Sequence, residues 1–273
     1  MLRRATVPAR VNIIGEHTDY CGGLSLPFAI DSYLVLNAER NLKEFIGDDE
    51  IISLWKETGG WPAKLTVESE IPIGKGLSSS AALCLAIVLC AHGKMDPLDA
   101  SKEAQRIEHK ILKTKCGLLD QMAIMNAIKD HTTLIDFSDY SVKHHKIPKD
   151  WKFKLVDSGI KRNLNSTQYN KKNNNIKSHI LKENLRVEKA INSSAKELGI
   201  LLNESHSSLQ RLGVSLPKID EKVASLQKTK GVLGARLMGG GFGGMILTIV
   251  ENEDVLSEKL VKSSGPAILE EFF

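Results

Sequence analysis

From Ser79 to Ala91 the chain reads Ser-Ser-Ala-Ala-Leu-Cys-Leu-Ala-Ile-Val-Leu-Cys-Ala, apolar on nearly every side of a helix. A helix without a polar face has to be covered all round. The run falls short of the ~18–20 apolar residues that span a bilayer, so its place is the centre of a globular core. Gly93 sits where a glycine would end it. The segment leading in, Pro72-Ile73-Gly74-Lys75-Gly76-Leu77-Ser78-Ser79-Ser80, is of another kind. Glycines let backbone approach a ligand closely. Serines at a helix start bring capping oxygens, free N–H groups and the positive end of the dipole to one place. That combination suits a phosphate. No Gly-x-x-x-x-Gly-Lys-Ser/Thr occurs, so this is not a Walker loop. An ordinary serine-capped buried helix is the plainer reading, and it explains one serine better than three.

A second segment, Arg10-Val-Asn-Ile-Ile-Gly-Glu-His-Thr-Asp-Tyr-Cys-Gly-Gly23, carries a β-branched run into a polar knot. A strand end there would present Glu16, His17 and Asp19 at a loop, a set suited to a ligand with several hydroxyls. By pattern alone, a turn whose side chains cap their own backbone serves equally well.

Strand-like runs cover Ala9–Ile14, Tyr33–Glu39 and Ala63–Glu68, all ahead of the apolar helix. Asp96-Pro97 reads as an N-cap with proline at the first helical position, followed by a stripe of Ala100, Ala104, Ile107 and Ile111. A further helix is expected from near Gly117 through Met122, Met125 and Ala127, putting Asp120 in its first turn. Strands follow at Thr132–Phe137 and Phe153–Val156, helices over most of Lys171–Lys228, and a short strand at Met245–Val250. Early strands with helices behind imply an α+β layering, divided into 1–150 and 151–273.

The 273 residues are 42% hydrophobic and 26% charged, with a net charge of +4 too small to argue for nucleic acid. Four scattered cysteines form no Cys-x-x-Cys pair, which speaks against zinc and fits reduced thiols in a cytoplasm. No signal peptide or spanning run is present. Gly239-Gly-Gly-Phe-Gly-Gly244 formally contains Gly-x-Gly-x-x-Gly, but it opens the strand-like Met245–Val250 and not a helix. Dinucleotide binding is therefore rejected. Protein-kinase chemistry is excluded too, because no Val-Ala-Ile-Lys, His-Arg-Asp or Asp-Phe-Gly accompanies it.

Arg10-Val-Asn with Gly15-Glu-His-Thr-Asp-Tyr20 resembles the signature of the galactokinase branch of the GHMP kinases. The 72–82 segment is similar to that family's ATP loop, and Gly234-Ala-Arg-Leu-Met238 plus its glycines to the third family motif. The resemblance covers essentially the whole chain. It implies a ribosomal-S5-like N-terminal half and a ferredoxin-like C-terminal half with the active site in the cleft between them. The implied activity is transfer of the γ-phosphate of ATP, with Mg2+, to the anomeric hydroxyl of galactose. Other aldoses, an amino sugar, or a sugar- and nucleotide-binding sensor without turnover are the alternatives.

By the same resemblance Asp120 and Arg10 are the catalytic pair, while Glu16, His17, Asp19, Gly117 and Tyr169 hold the sugar. Gly74, Lys75, Gly76, Leu77, Ser78, Ser79 and Ser80 cradle the phosphates, and Ser80 and Glu108 hold magnesium. Taken alone, Glu108 reads as a surface helix carboxylate and Asp120 as an N-terminal helix carboxylate. Departures from the family pattern are Ala9 for glycine, Cys21 for asparagine, Lys75 for a small residue and Met238 for threonine. The stretches 31–71 and 169–231 are shorter than in typical galactokinases, which bears on the adenine side of the pocket. The first motif lies almost at the chain's start, without the usual leader. A cytoplasmic monomer with sugar and ATP as its partners is expected.

Overall fold

The computed structural model describes residues 1–160 and 175–272, and Tyr169 lies outside them. Leu2–Asn12 (β1) and Pro27–Arg40 (β3) form a long antiparallel pair. Ala63–Ser69 (β4) adds to β3, and Ile268–Phe272, the last strand (β10), adds to β1, giving the order β10-β1-β3-β4. The chain's end thus returns to the sheet of its beginning, across the division expected at residue 150. The β1–β3 register slips between Pro8 and Ala9. Proline has no N–H to give a ladder, and a slip beside it twists the strand. Arg10 lies just past this irregularity, at the end of β1 that leads to the polar knot.

A second sheet joins Leu24–Ser25 (β2), His131–Asp136 (β5) and Ser141–Lys146 (β6) in that order. The third runs Lys152–Asp157 (β7), Met245–Val250 (β9) and Val232–Leu237 (β8), antiparallel throughout. Helices Asp49–Glu57 (α1), Ser79–His92 (α2), Pro97–Ile107 (α3) and Leu119–Met125 (α4) belong to the first half. Asn175–Ala190 (α5), Ala195–Leu212 (α6) and Pro217–Lys228 (α7) belong to the second, with α6 and α7 packed on β8.

The apolar helix α2 is the hub. It packs on β1 and β3 and touches α1, α3 and α4, burying Leu85, Ile87 and Val88 completely. The core around it continues without a break into the second half through Trp151, Phe153, Val187, Leu198, Leu247 and Ile249. Phe28 of β3 meets Phe153 of β7 with ring centroids 5.7 Å apart.

Asp96 caps α3 by accepting from the Leu98 and Asp99 amides, with Pro97 at its first turn, as the sequence implies. The start of α2 differs from expectation: Ser78 adopts a left-handed conformation (φ 65°) and makes no side-chain cap. Its Oγ is buried without a partner. The amides at the end of this helix are therefore not consumed by serine capping, which leaves them for a ligand. The 31–71 stretch also contains a helix, α1, between its strands. It starts at an Asp48 cap and buries Trp55, which stacks on Trp61 at 4.5 Å. No single described helix is long and apolar enough to cross a membrane.

Candidate active site

Arg10 links the end of β1, the start of α4 and the loop before α2. Its Nε donates to Asp120 Oδ1 at 2.8 Å and its terminal nitrogen lies 2.6 Å from the same oxygen. Its other terminal nitrogen donates to the Gly76 carbonyl at 2.7 Å. The guanidinium is buried, whereas the Asp120 side chain is 28% exposed. Asp120 occupies the first turn of α4, where the helix dipole favours its anion. One carboxylate is thus fixed by arginine on one side and open on the other.

Glu108 stands where α3 gives way to a turn of π-helix, Glu108–Leu112. Such turns re-aim side chains and recur at functional sites. Glu108 is buried, accepting from Ser80 Oγ at 2.7 Å and from Gln121 Nε2 at 2.8 Å. Burial, reinforced by the nearby Asp120 charge, pushes its carboxyl up to about 7 against the hydrogen bonds from Ser80, Cys116 and Gln121. A carboxylate so short of positive charge, with a serine oxygen beside it, fits a hard divalent cation. Among the described residues no three His, Cys, Asp or Glu side chains are grouped to hold a metal. A cation here would take its remaining ligands from phosphate and water, as Mg2+ commonly does.

The polar knot is folded tightly on itself. Gly15 takes φ +97°, and a Cβ there would stand 2.4 Å from the Leu24 carbonyl oxygen. His17 also has a positive φ (60°) and pairs through Nδ1 with the Tyr20 hydroxyl at 3.1 Å. Thr18 Oγ1 donates within the knot and lies 2.9 Å from Ser25 Oγ. Asp19 Oδ2 accepts from the Leu119 amide at 3.2 Å, beside Gly117. Burial pushes Asp19 up to about 6, helped by Asp120 and Glu16 and opposed by the Leu119 amide.

Glu16 has an internal duty that the sequence did not reveal. Its Oε1 accepts from the Gly239 amide at 2.7 Å and meets the Arg236 guanidinium at 3.2 Å. Burial disfavours its charge, but Arg236, Arg10 and the Gly239 amide outweigh that and hold its carboxyl below the ordinary range. Arg236 of β8 is fully buried and also donates to the carbonyls of Ile13, Leu237 and Asn12. In the sequence it stands only within the Gly234–Gly244 segment. A charged residue opening into an otherwise apolar strand was the available signal.

The loop at 239–244 packs directly against the loop at 74–80. The Met245 amide donates to the Lys75 carbonyl at 2.9 Å, and a Cβ on Gly244 would come within 2.6 Å of that oxygen. Met238, in the place of the family's usual threonine, is completely buried in the core. Lys75 turns its ammonium to Asp157, at 2.5 Å, at the end of β7. That ion pair holds the Asp157 carboxyl below the usual range. Leu77 points into the core, so it offers a ligand only its backbone.

Glu108 gives this site a pH signature. Below its unfolded value near 4.5 it is protonated in both states; between about 4.5 and 7 only the folded protein keeps the proton. Its burial therefore costs nothing in acid and progressively destabilises the ligand-free fold as pH rises toward 7. Glu108→Gln, a mimic of the protonated acid, should stabilise the ligand-free protein at pH 8 by on the order of 2–3 kcal/mol. The gain should vanish near pH 4, as read by urea unfolding at the two pH values. An equal effect at both would contradict the assignment.

Residues 3–40 match the galactokinase galactose-binding signature, 45–127 the GHMP kinases N-terminal domain and 184–262 the GHMP kinases C-terminal domain. The chain is 30% identical to a galactokinase of Thermotoga maritima, over 95% of this chain and 93% of the relative. It is 28% identical to the galactokinase of Pyrococcus furiosus, over 97% and 92%. The first of these alignments is 328 positions long against 273 residues, so the relative carries stretches this chain lacks. The fold matches the crystal structure of Lactococcus lactis galactokinase complexed with galactose at a TM-score of 0.84, with 22% identity over 98% of this chain and 95% of that one. Methanococcus jannaschii mevalonate kinase also matches, at a TM-score of 0.70 with 20% identity over 92% and 91%. The α+β architecture is thus that of the GHMP kinases, and the chain belongs to the galactokinase family, as a sugar kinase that uses ATP.

Proposed function

We propose that this protein transfers the γ-phosphate of ATP to the anomeric hydroxyl of galactose, giving galactose 1-phosphate and ADP. The observation that carries this reading is Arg10, which holds Asp120 with one edge of its guanidinium and the Gly76 carbonyl with another nitrogen. A sugar hydroxyl at the open side of Asp120 and a phosphate over the 74–80 backbone then meet at one cation. Phosphoryl transfer asks mainly for this: an oriented hydroxyl, an in-line γ-phosphate and positive charge around the equatorial oxygens. Asp120 accepts or orients the proton of the attacking hydroxyl, and Arg10 stabilises the charge that develops.

Asp19 and Glu16 accept the remaining sugar hydroxyls, with His17 alongside and Gly117 leaving room for Asp19. Tyr169 completes the sugar pocket in this reading, by family resemblance alone. The backbone of Gly74, Lys75, Gly76, Leu77, Ser78 and Ser79 cradles the phosphates at the uncapped start of α2. Ser80 and Glu108 fit Mg2+, which when bound neutralises phosphate charge. The four cysteines, none of them in a disulfide, suit a cytoplasmic protein. We further propose that it acts as a monomer built from an N-terminal half to about residue 150 and a C-terminal half beyond it.

An ADP-release assay with MgATP across a panel of sugars should give turnover on galactose. Asp120→Asn should lose about 10²–10⁴-fold in kcat while galactose still raises the melting temperature. Wild-type protein that is stabilised by a sugar but turns over none would make it a sensor. Gly117→Ala tests the sugar side. The added methyl carbon would sit 1.8 Å from Asp19 Oδ2, so the carboxylate must move while the fold need not. The galactose KM should rise roughly tenfold or more, the value of one charge-assisted hydrogen bond. The ATP KM should change little, and an unchanged galactose KM would remove Asp19 from the sugar site.

A further inference from the structure

The polar knot between β1 and β2 is an improbable piece of backbone. Gly15 and His17 both have positive φ, and for His17 that conformation costs energy which the surroundings must offset. The chain turns so sharply that the knot's own strands cannot satisfy every backbone group. Three of these groups are satisfied instead by consecutive turns of α5. The Gly15 amide donates to Glu183 Oε1 at 3.1 Å. The Glu16 carbonyl lies 2.9 Å from His179 Nε2, and the Leu24 amide donates to Asn184 Oδ1 at 2.9 Å.

The three side chains are themselves held or closely packed. Glu183 is fully buried, with Ser205 of α6 donating to Oε1 at 2.6 Å and Arg186 donating to Oε2 at 2.9 and 2.5 Å. His179 is buried with its Nδ1 2.8 Å from Ser208 Oγ. A carbonyl only accepts, so Nε2 carries the ring proton toward Glu16 and Nδ1 accepts from the serine. Asn184 packs against Gly23, where a Cβ would meet its Oδ1 at 2.9 Å.

We propose that α5 is the positioning element of the sugar site: His179, Glu183 and Asn184 fix the backbone of residues 15–24 in the one conformation that presents Glu16 and Asp19 to the substrate. None of the three touches the reacting atoms. They act through the backbone, by raising the fraction of molecules whose sugar loop is already formed. Apparent affinity falls in proportion to that fraction, whereas the bound complex reacts as before. The consequence is a selective effect on the sugar KM. The proposal rests on residues 15–24 binding the sugar.

The test uses side chains that can change without stranding the buried Glu183–Arg186 pair. Asn184→Leu removes the acceptor for the Leu24 amide, and Asn184→Asp keeps one. His179→Phe removes the donor to Glu16 and keeps a ring. Asn184→Leu and His179→Phe should each raise the galactose KM by about tenfold or more, with kcat and the ATP KM within about twofold. Asn184→Asp should restore most of the loss. Hydrogen exchange should quicken at Leu24 in Asn184→Leu and at residues 15–17 in His179→Phe, while α2 stays protected.

Unchanged KM and exchange in folded variants would overturn the proposal. So would equal losses in Asn184→Leu and Asn184→Asp, or parallel changes in the ATP KM. Wild-type protein gives an independent check, since the Gly15 and Leu24 amides should be protected before any sugar is added. Protection that appears only with galactose would also refute it. Altered exchange as foreseen, in a protein that turns over no galactose, would keep the clamp and discard the substrate assignment.

Discussion

A single buried guanidinium organises the site. Arg10 contacts the partly open carboxylate of Asp120 and the Gly76 carbonyl of the loop before α2. A lysine in its place would supply one point charge where the geometry asks for a planar fork reaching two directions. The cation also contributes to keeping Glu16 ionised. The 15–24 loop, the 74–80 loop and α4 therefore share one electrostatic centre, and the rest of the fold serves to hold it still.

Much of that holding is done from the second half of the chain. Arg236 closes the end of β1 with donors to the carbonyls of Asn12, its last residue, and of Ile13 just beyond, and meets Glu16 on the way. The 239–244 glycines and Met245 back the 74–80 loop through the Lys75 carbonyl. α5 grips the backbone around Gly15. Removing one member of a buried charge pair costs about 3–5 kcal/mol, because the survivor is left uncompensated. The second half is thus part of the site's wall, and the continuous core through Phe28, Phe153 and Leu247 makes the two halves one packed body.

The parts legible in the sequence were those with local signatures. An all-apolar helix has to be central, and α2 is. Asp96-Pro97 had to start a helix, and α3 begins there. Clustered glycines marked both loops, and the family resemblance joined Arg10 to Asp120 across a separation that no periodicity argument reaches. The serines at 78–80 misled in one respect: a left-handed Ser78 leaves its side chain off the helix end. Glu108 looked like a surface carboxylate because the π-turn that buries it has no sequence signature. His179, Glu183 and Asn184 were invisible because their partners are backbone atoms more than a hundred residues away. Long-range side chain-to-backbone contacts leave no trace in composition or spacing. The ion pair of Lys75 with Asp157, across more than eighty residues, likewise leaves no mark in the glycine spacing around it.

The central claim is that Arg10 and Asp120 stand where sugar and phosphate meet. A crystal structure with galactose and a non-hydrolysable ATP analogue tests it most directly. The anomeric oxygen should lie within about 3 Å of the Asp120 carboxylate and in line with the γ-phosphate, over the 74–80 loop. A sugar that turns a different hydroxyl to Asp120, or phosphates bound away from Gly76 and Ser80, would contradict the account.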